Sequence, residues 1–189
     1  MIKEQLIESL DYVDATRKKR TEMSLWVLNK PELLPPLLEI AFEGRDPIAN
    51  KACWILEYVA KRNIDSILPL IDDFTENLHT LALDSSVRPM AKICELLITA
   101  FFNKKRNETK QVLTPKHLEL IASTCFDWLI GEYKVATKAY SMTSLWHIGK
   151  AFEWIHPELK MVLEQNYTSG SPAYRARART ILAKLNALK

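Results

Sequence analysis

Asp84-Ser-Ser-Val-Arg-Pro-Met-Ala-Lys-Ile-Cys-Glu-Leu-Leu-Ile-Thr-Ala-Phe101 is the stretch whose reading decides the fold. Val87, Ala91, Cys94 and Ile98 stand at i, i+4, i+7 and i+11, the spacing of one helical face. Arg88, Lys92, Glu95 and Thr99 follow one position behind and make a polar stripe beside it. The stretch reads as an amphipathic helix with a charged edge. Two starts are open to it. Pro89 forfeits a hydrogen bond if Asp84 is the cap, and lies harmlessly in the first turn if Ser86 is.

Outward from this helix the pattern recurs. Ile48-Ala-Asn-Lys-Ala52, Val87-Arg-Pro-Met-Ala91, Val135-Ala-Thr-Lys-Ala139 and Tyr174-Arg-Ala-Arg-Ala178 each place a large apolar or aromatic residue four positions before an alanine. Successive offsets are 39, 48 and 39 residues, the long one holding the polar segment 103–113. A period near 40 with two helices per unit is the signature of a helical solenoid, and the small Ala lets each second helix approach its neighbours. Asp84, Val87-Arg88 and Ala91 resemble the Asp…Val-Arg…Ala pattern of HEAT repeats, although one unit of the four carries both the acid and the Arg. The resemblance covers about residues 31–188. It implies an all-α class, an α-α superhelix of about ten helices forming a single domain over 1–189. Residues 1–30 would be capping helices, and 31–61, 63–101, 114–150 and 157–188 the helix pairs.

Composition agrees with a globular helical chain. Of 189 residues 48% are hydrophobic and 26% charged, which argues against wholesale disorder. No run shows the period-two alternation of a strand. Net charge is +3, too small to imply nucleic acid by itself. Two segments are locally basic, Arg17-Lys-Lys-Arg20 and the acid-free stretch 171–189, with Arg175, Arg177, Arg179, Lys184 and Lys189. Cys53, Cys94 and Cys125 are odd in number and lie on or beside apolar faces, so reduced thiols are expected. No basic-then-apolar leader opens the sequence, and the run Leu96–Phe102 is far short of a membrane span. The expected setting is cytoplasmic, without membrane contact.

Turn chemistry places the remaining helices. Thr16 to Asn29 should form one helix, with Met23, Trp26 and Val27 inward and a basic start that opposes the macrodipole. Pro31 suits a first turn, and Pro35-Pro36 would bend the next helix or delay its start. Asp46 is expected to cap a helix with Pro47 in its first position. Asn63 should open a helix running to Leu78. Thr114-Pro115 caps another that Gly131 ends, Pro157 opens a helix to Tyr167, and Thr168-Ser-Gly-Ser171 turns into the last. Segment 103–113 reads as an exposed loop.

Chemistry-bearing patterns are sparse. His79, His117, His147 and His156 are scattered, with no ligand spacing between them or to Cys, so no metal or cofactor is expected. Ser85-Ser86-Val-Arg-Pro89-Met90-Ala-Lys92 resembles the Ser-Ser-x-Met-Pro-x-Lys-x-Asn signature of the fumarase and adenylosuccinate lyase superfamily, whose mobile loop carries a catalytic Ser. Here Met and Pro are exchanged and shifted, Cys94 stands for the Asn, and the segment has helical periodicity. The chain also resembles a group of short bacterial proteins that sometimes carry an adenylosuccinate lyase label. No nucleophile is paired with a base in the sequence, so the reading leans away from an enzyme.

A binding surface is the expectation instead. In a HEAT-like solenoid the second helices line the concave face, which would bring Arg88, Lys92 and Glu95 together with Tyr140, His147, Arg175 and Arg179 in a basic, partly aromatic groove. Of the five Trp (26, 54, 128, 146, 154), most should be packing residues. Trp54 is the candidate anchor for a partner. A protein partner is expected first. Nucleic acid is the second expectation, through a resemblance in repeat architecture to HEAT-like alkylpurine DNA glycosylases.

Overall fold

The computed structural model describes residues 2–44 and 46–188, so Arg45 of the expected 44–47 turn and Lys189 of the basic tail lie outside the described residues. These are all-α. Eleven α-helices run in order: α1 Ile2–Asp11, α2 Arg17–Leu28, α3 Leu34–Phe42, α4 Ile48–Arg62, α5 Ile71–Asn77, α6 Asp84–Phe101, α7 Thr109–Val112, α8 Pro115–Ile130, α9 Val135–Ile148, α10 Ile155–Gln165 and α11 Pro172–Asn186. Among them no helix is long and apolar enough to cross a membrane. The chain gathers into two compact units, Met1–Leu96 and Leu97–Lys189.

In the first unit α3 packs on α4 as a helical hairpin, while α2 lies against α4 and α1 against both members of the hairpin. Its core includes Leu6, Leu10, Val27, Leu37, Ile55, Leu56, Val59 and Phe74. The basic start of α2 is answered from outside the helix. Asp14 accepts from the backbone N–H and hydroxyl of Thr16 at 2.8 and 2.6 Å, and Lys19 Nζ sits 3.1 Å from its other oxygen. These donors, Thr16 first, hold the Asp14 carboxyl down at about 2.

Several helix starts differ from those the sequence suggests, each for a local reason. Residues 31–33 form a 3-10 turn and α3 begins at Leu34, so Pro35 and Pro36 fall in its first turn, where no hydrogen bond is lost. Asp46 does not cap α4. Pro47 takes the cap position with helical φ and ψ, and its carbonyl accepts from Lys51 N at 3.2 Å. The helix expected over 63–78 is cut by Pro69. Its ring has no N–H for the Asp65 carbonyl, and 64–70 winds as 3-10 before α5 begins. Asn63 still opens the segment, its side chain accepting from Asp65 N at 3.2 Å. Ser86 is not the cap of α6. The helix starts at Asp84, Ser86 N and Val87 N donate to Leu83 O, and Pro89 is interior.

The second unit is built on α9, which packs against α8, α10 and α11. Thr114 caps α8 through a reciprocal pair: its hydroxyl accepts from His117 N at 3.5 Å, and its own N–H donates to His117 Nδ1 at 3.1 Å. Ser171 caps α11 by a single bond, its hydroxyl accepting from Tyr174 N at 3.2 Å. Segment 103–113 is not wholly loop, since it contains α7, and Asn107 anchors it by donating to Ala100 O at 2.8 Å and accepting from Lys110 N at 3.1 Å. α10 begins two residues before Pro157. In α9 the face suggested by Val135 and Ala139 is half-buried, and the buried stripe is Thr137, Ser141, Ser144 and Ile148.

Candidate binding surface

α4 and α6 position a cluster of charged and aromatic side chains. At its centre is Glu57, whose side chain is 1% exposed. The carboxylate takes Arg88 in a forked pair, Nη2 to Oε2 at 2.8 Å and Nη1 to Oε1 at 3.3 Å, and Lys61 Nζ reaches Oε1 at 2.5 Å. Two charge-assisted bonds to a guanidinium fix that group's orientation as well as its charge. One helical turn on, Lys92 Nζ pairs with Glu95 at 2.5 Å. The aromatic members stand beside these pairs on α4. Arg20 of α2 lies 4.4 Å from the Trp54 ring centroid, and Lys61 and Arg62 lie 5.3 and 5.6 Å from that of Tyr58.

Trp54 is half-buried and has a structural role as well. Pro89 cannot donate to the Ser85 carbonyl four residues earlier, and Trp54 Nε1–H donates to that oxygen at 3.1 Å. The indole thus stands in for the missing backbone donor. Trp54→Phe is expected to cost about 1 kcal/mol in urea unfolding, and clearly less in a Pro89→Ala background, where residue 89 regains its own N–H. Equal costs in both backgrounds would show that the two are independent.

Nearby hydroxyls and thiols are also engaged. Ser85 and Ser86, the serines of the lyase-like stretch, lie in the first turn of α6 and both donate to Asn50 Oδ1, Ser85 at 2.8 Å. Cys53 is buried with its thiol pushed up to about 12 by desolvation, which keeps it protonated and non-nucleophilic at neutral pH. Among the described residues no group of three His, Cys, Asp or Glu is placed as metal ligands would be.

The expected site residues divide between the units. Trp54, Arg88, Lys92 and Glu95 share the α4–α6 cluster of the first. Tyr140, His147, Arg175 and Arg179 belong to the second. There His147 stacks on Phe102 at 6.0 Å and its Nδ1 lies 3.2 Å from Lys150 Nζ, while Arg179 Nε donates to Tyr167 Oη at 3.2 Å. Tyr140 and Arg175 are half-buried on α9 and α11. Trp146 stacks on His156 at 5.0 Å, with Lys150 and Lys184 at 5.6 and 5.7 Å from its ring. Of the tryptophans Trp128 is core, Trp26, Trp54 and Trp146 are half-buried and Trp154 is exposed, so most are core or half-buried, as expected.

Glu57 is the residue that the sequence reading passed over. Its signal is an acid at i+4 from Cys53 and i−3 from Ala60, on the buried stripe of an amphipathic helix, with a Lys four residues on. Comparison with protein-family models, curated proteins and solved structures returned no match.

Proposed function

We propose that the chain is a non-catalytic binding module that takes an acidic protein partner on the α4–α6 face of its first unit. The observation that carries this reading is Glu57. A buried carboxylate holding Arg88 and Lys61 beside Trp54 and Tyr58 sets cations and rings in place before a partner arrives. Interface energy concentrates in such fixed Arg and aromatic side chains, and fixing them beforehand lowers the entropy cost of binding. A HEAT-like superhelix belongs to the same proposal, since helical repeats bind through faces made of successive helices. So does a cytoplasmic setting, in which three buried thiols stay reduced.

Nucleic acid is the second reading. It is favoured by Trp146 flanked by Lys150 and Lys184, with the arginines of α11 on a neighbouring helix. One experiment separates the two. Tagged full-length chain is used to capture partners from native lysate, with and without nuclease, beside an Arg62→Glu/Lys92→Gln variant that leaves the Arg88–Glu57 pair intact. A stoichiometric protein that survives nuclease and is lost with the variant is the expected result. A protein retained by the variant would overturn the surface. Partners lost on nuclease treatment would overturn the protein reading in favour of nucleic acid.

A further inference from the structure

A surface of the opposite charge lies within the second unit. α8 and α10 border a groove of about 600 Å³. Phe126 forms its floor and stacks on Trp154, with ring centroids 5.8 Å apart and planes 28° from parallel. Trp154 is 53% exposed and Ile130 63% exposed, large apolar side chains that burial ordinarily removes from water. Along α8, Glu119, Phe126 and Ile130 stand at i, i+7 and i+11, one stripe of the helix. On the other side Trp154, Glu158 and the exposed Met161 stand at i, i+4 and i+7. Phe126 and Ile130 therefore face the groove from one side and Trp154 from the other, and carboxylates rim it: Glu119, Asp127 and Glu158 line it, and among the described residues no Lys or Arg does.

We propose that this groove docks a basic amphipathic helix of another protein, its apolar face on Trp154 and Ile130 and its Lys or Arg residues on the three carboxylates. Charge selects the occupant. An acidic helix would meet like charge at every rim position, and a neutral one would desolvate carboxylates without pairing them. The chain as a whole carries +3, so a cationic helix is not drawn to it generally, only to a local acidic patch such as this one. A groove lined by apolar side chains from two sides is the kind of trough that receives a helix through i, i+3, i+4 and i+7 anchors. The exposed Trp is of the residue type that most often dominates such contacts.

The test uses the full chain and a fluorescein-labelled peptide of about 16 residues, about 24 Å long as a helix, with Leu on one face and Lys on the other. A second peptide carries Glu in place of every Lys. Anisotropy is expected to show binding of the Lys peptide and none of the Glu peptide. Trp154→Ala should weaken binding about tenfold or more, and Glu158→Lys should weaken it and lessen discrimination against the Glu peptide. Circular dichroism of both variants should match the parent, since both side chains are exposed. Equal binding of the two peptides, or a Trp154→Ala chain that binds as the parent does, would overturn the proposal. So would sedimentation showing a dimer that Trp154→Ala dissolves, because the groove would then be covered by a second copy.

Discussion

Arg88→Met is expected to lower the unfolding free energy by about 3 kcal/mol, more than most exposed-charge substitutions by a wide margin. The reason is what it leaves behind. Glu57 is 1% exposed and cannot turn to water, and Lys61 would be its remaining counter-charge. The reverse substitution, Glu57→Met, is expected to cost less, about 1 kcal/mol, because Arg88 is 28% exposed and its guanidinium can be solvated. Together the two should cost less than Arg88→Met alone, since a buried ion pair replaced by apolar side chains of similar volume is often neutral or better. Urea unfolding of the parent, both single variants and the double variant closes the cycle. Additive costs would show that the pair contributes nothing as a pair. The cycle also bears on function: if Glu57→Met, which keeps Arg88, is folded but no longer captures partner, Glu57 positions Arg88 for binding, whatever the pair contributes to stability.

The second large effect is expected at Gly149, where α9 ends. A Cβ there would lie 2.1 Å from His156 Cδ2, 2.3 Å from Nε2 and 2.8 Å from Cγ, so the imidazole lies flat on the glycine. The ring cannot yield at its tip alone. It must rotate away, giving up the stack on Trp146 and the 2.9 Å contact of Nε2 with Trp146 O. Gly149→Ala is expected to cost about 2 kcal/mol. In a His156→Ala background the same substitution should be neutral or stabilising, because Gly149 has an ordinary helical φ of −59° and Ala has the higher helix propensity. A cost that persisted without His156 would place the strain in the backbone instead.

What was legible in the sequence was what a single side chain decides locally. Thr114, Ser171 and Asn63 cap as their types suggest, because a short side chain placed before a helix has few other partners for its oxygen. Gly131 ends α8 and the paired prolines after Leu34 mark a helix start. Features that depend on a distant partner were not legible. Pro89 looks disfavoured inside α6 until Trp54, far back in the chain, is seen to serve the stranded carbonyl. Arg88 looks like a free surface cation until Glu57 is found beneath it. Trp154 and Trp128 are indistinguishable by residue type, yet one is bare and the other fully packed. Sequence spacing names Trp54, Arg88, Lys92 and Glu95, which lie on α4 and α6, and does not name the carboxylate that holds Arg88.

The buried stripe of α9 has a wider consequence. Thr137, Ser141 and Ser144 face inward, and the serine hydroxyls return to the helix's own carbonyls, Ser141 to Thr137 O and Ser144 to Tyr140 O, each at 3.1 Å. A hydroxyl bound in this way is polar in name and small in practice. What the neighbouring helices require of these positions is volume, and exchange of Ser for Ala alters hydropathy while nearly conserving that volume. Size is therefore the property that packing constrains at these positions, and polarity the one it leaves open. Descendants of a common ancestor could keep the helix in place while their α9 sequences diverge in the property most used to align them.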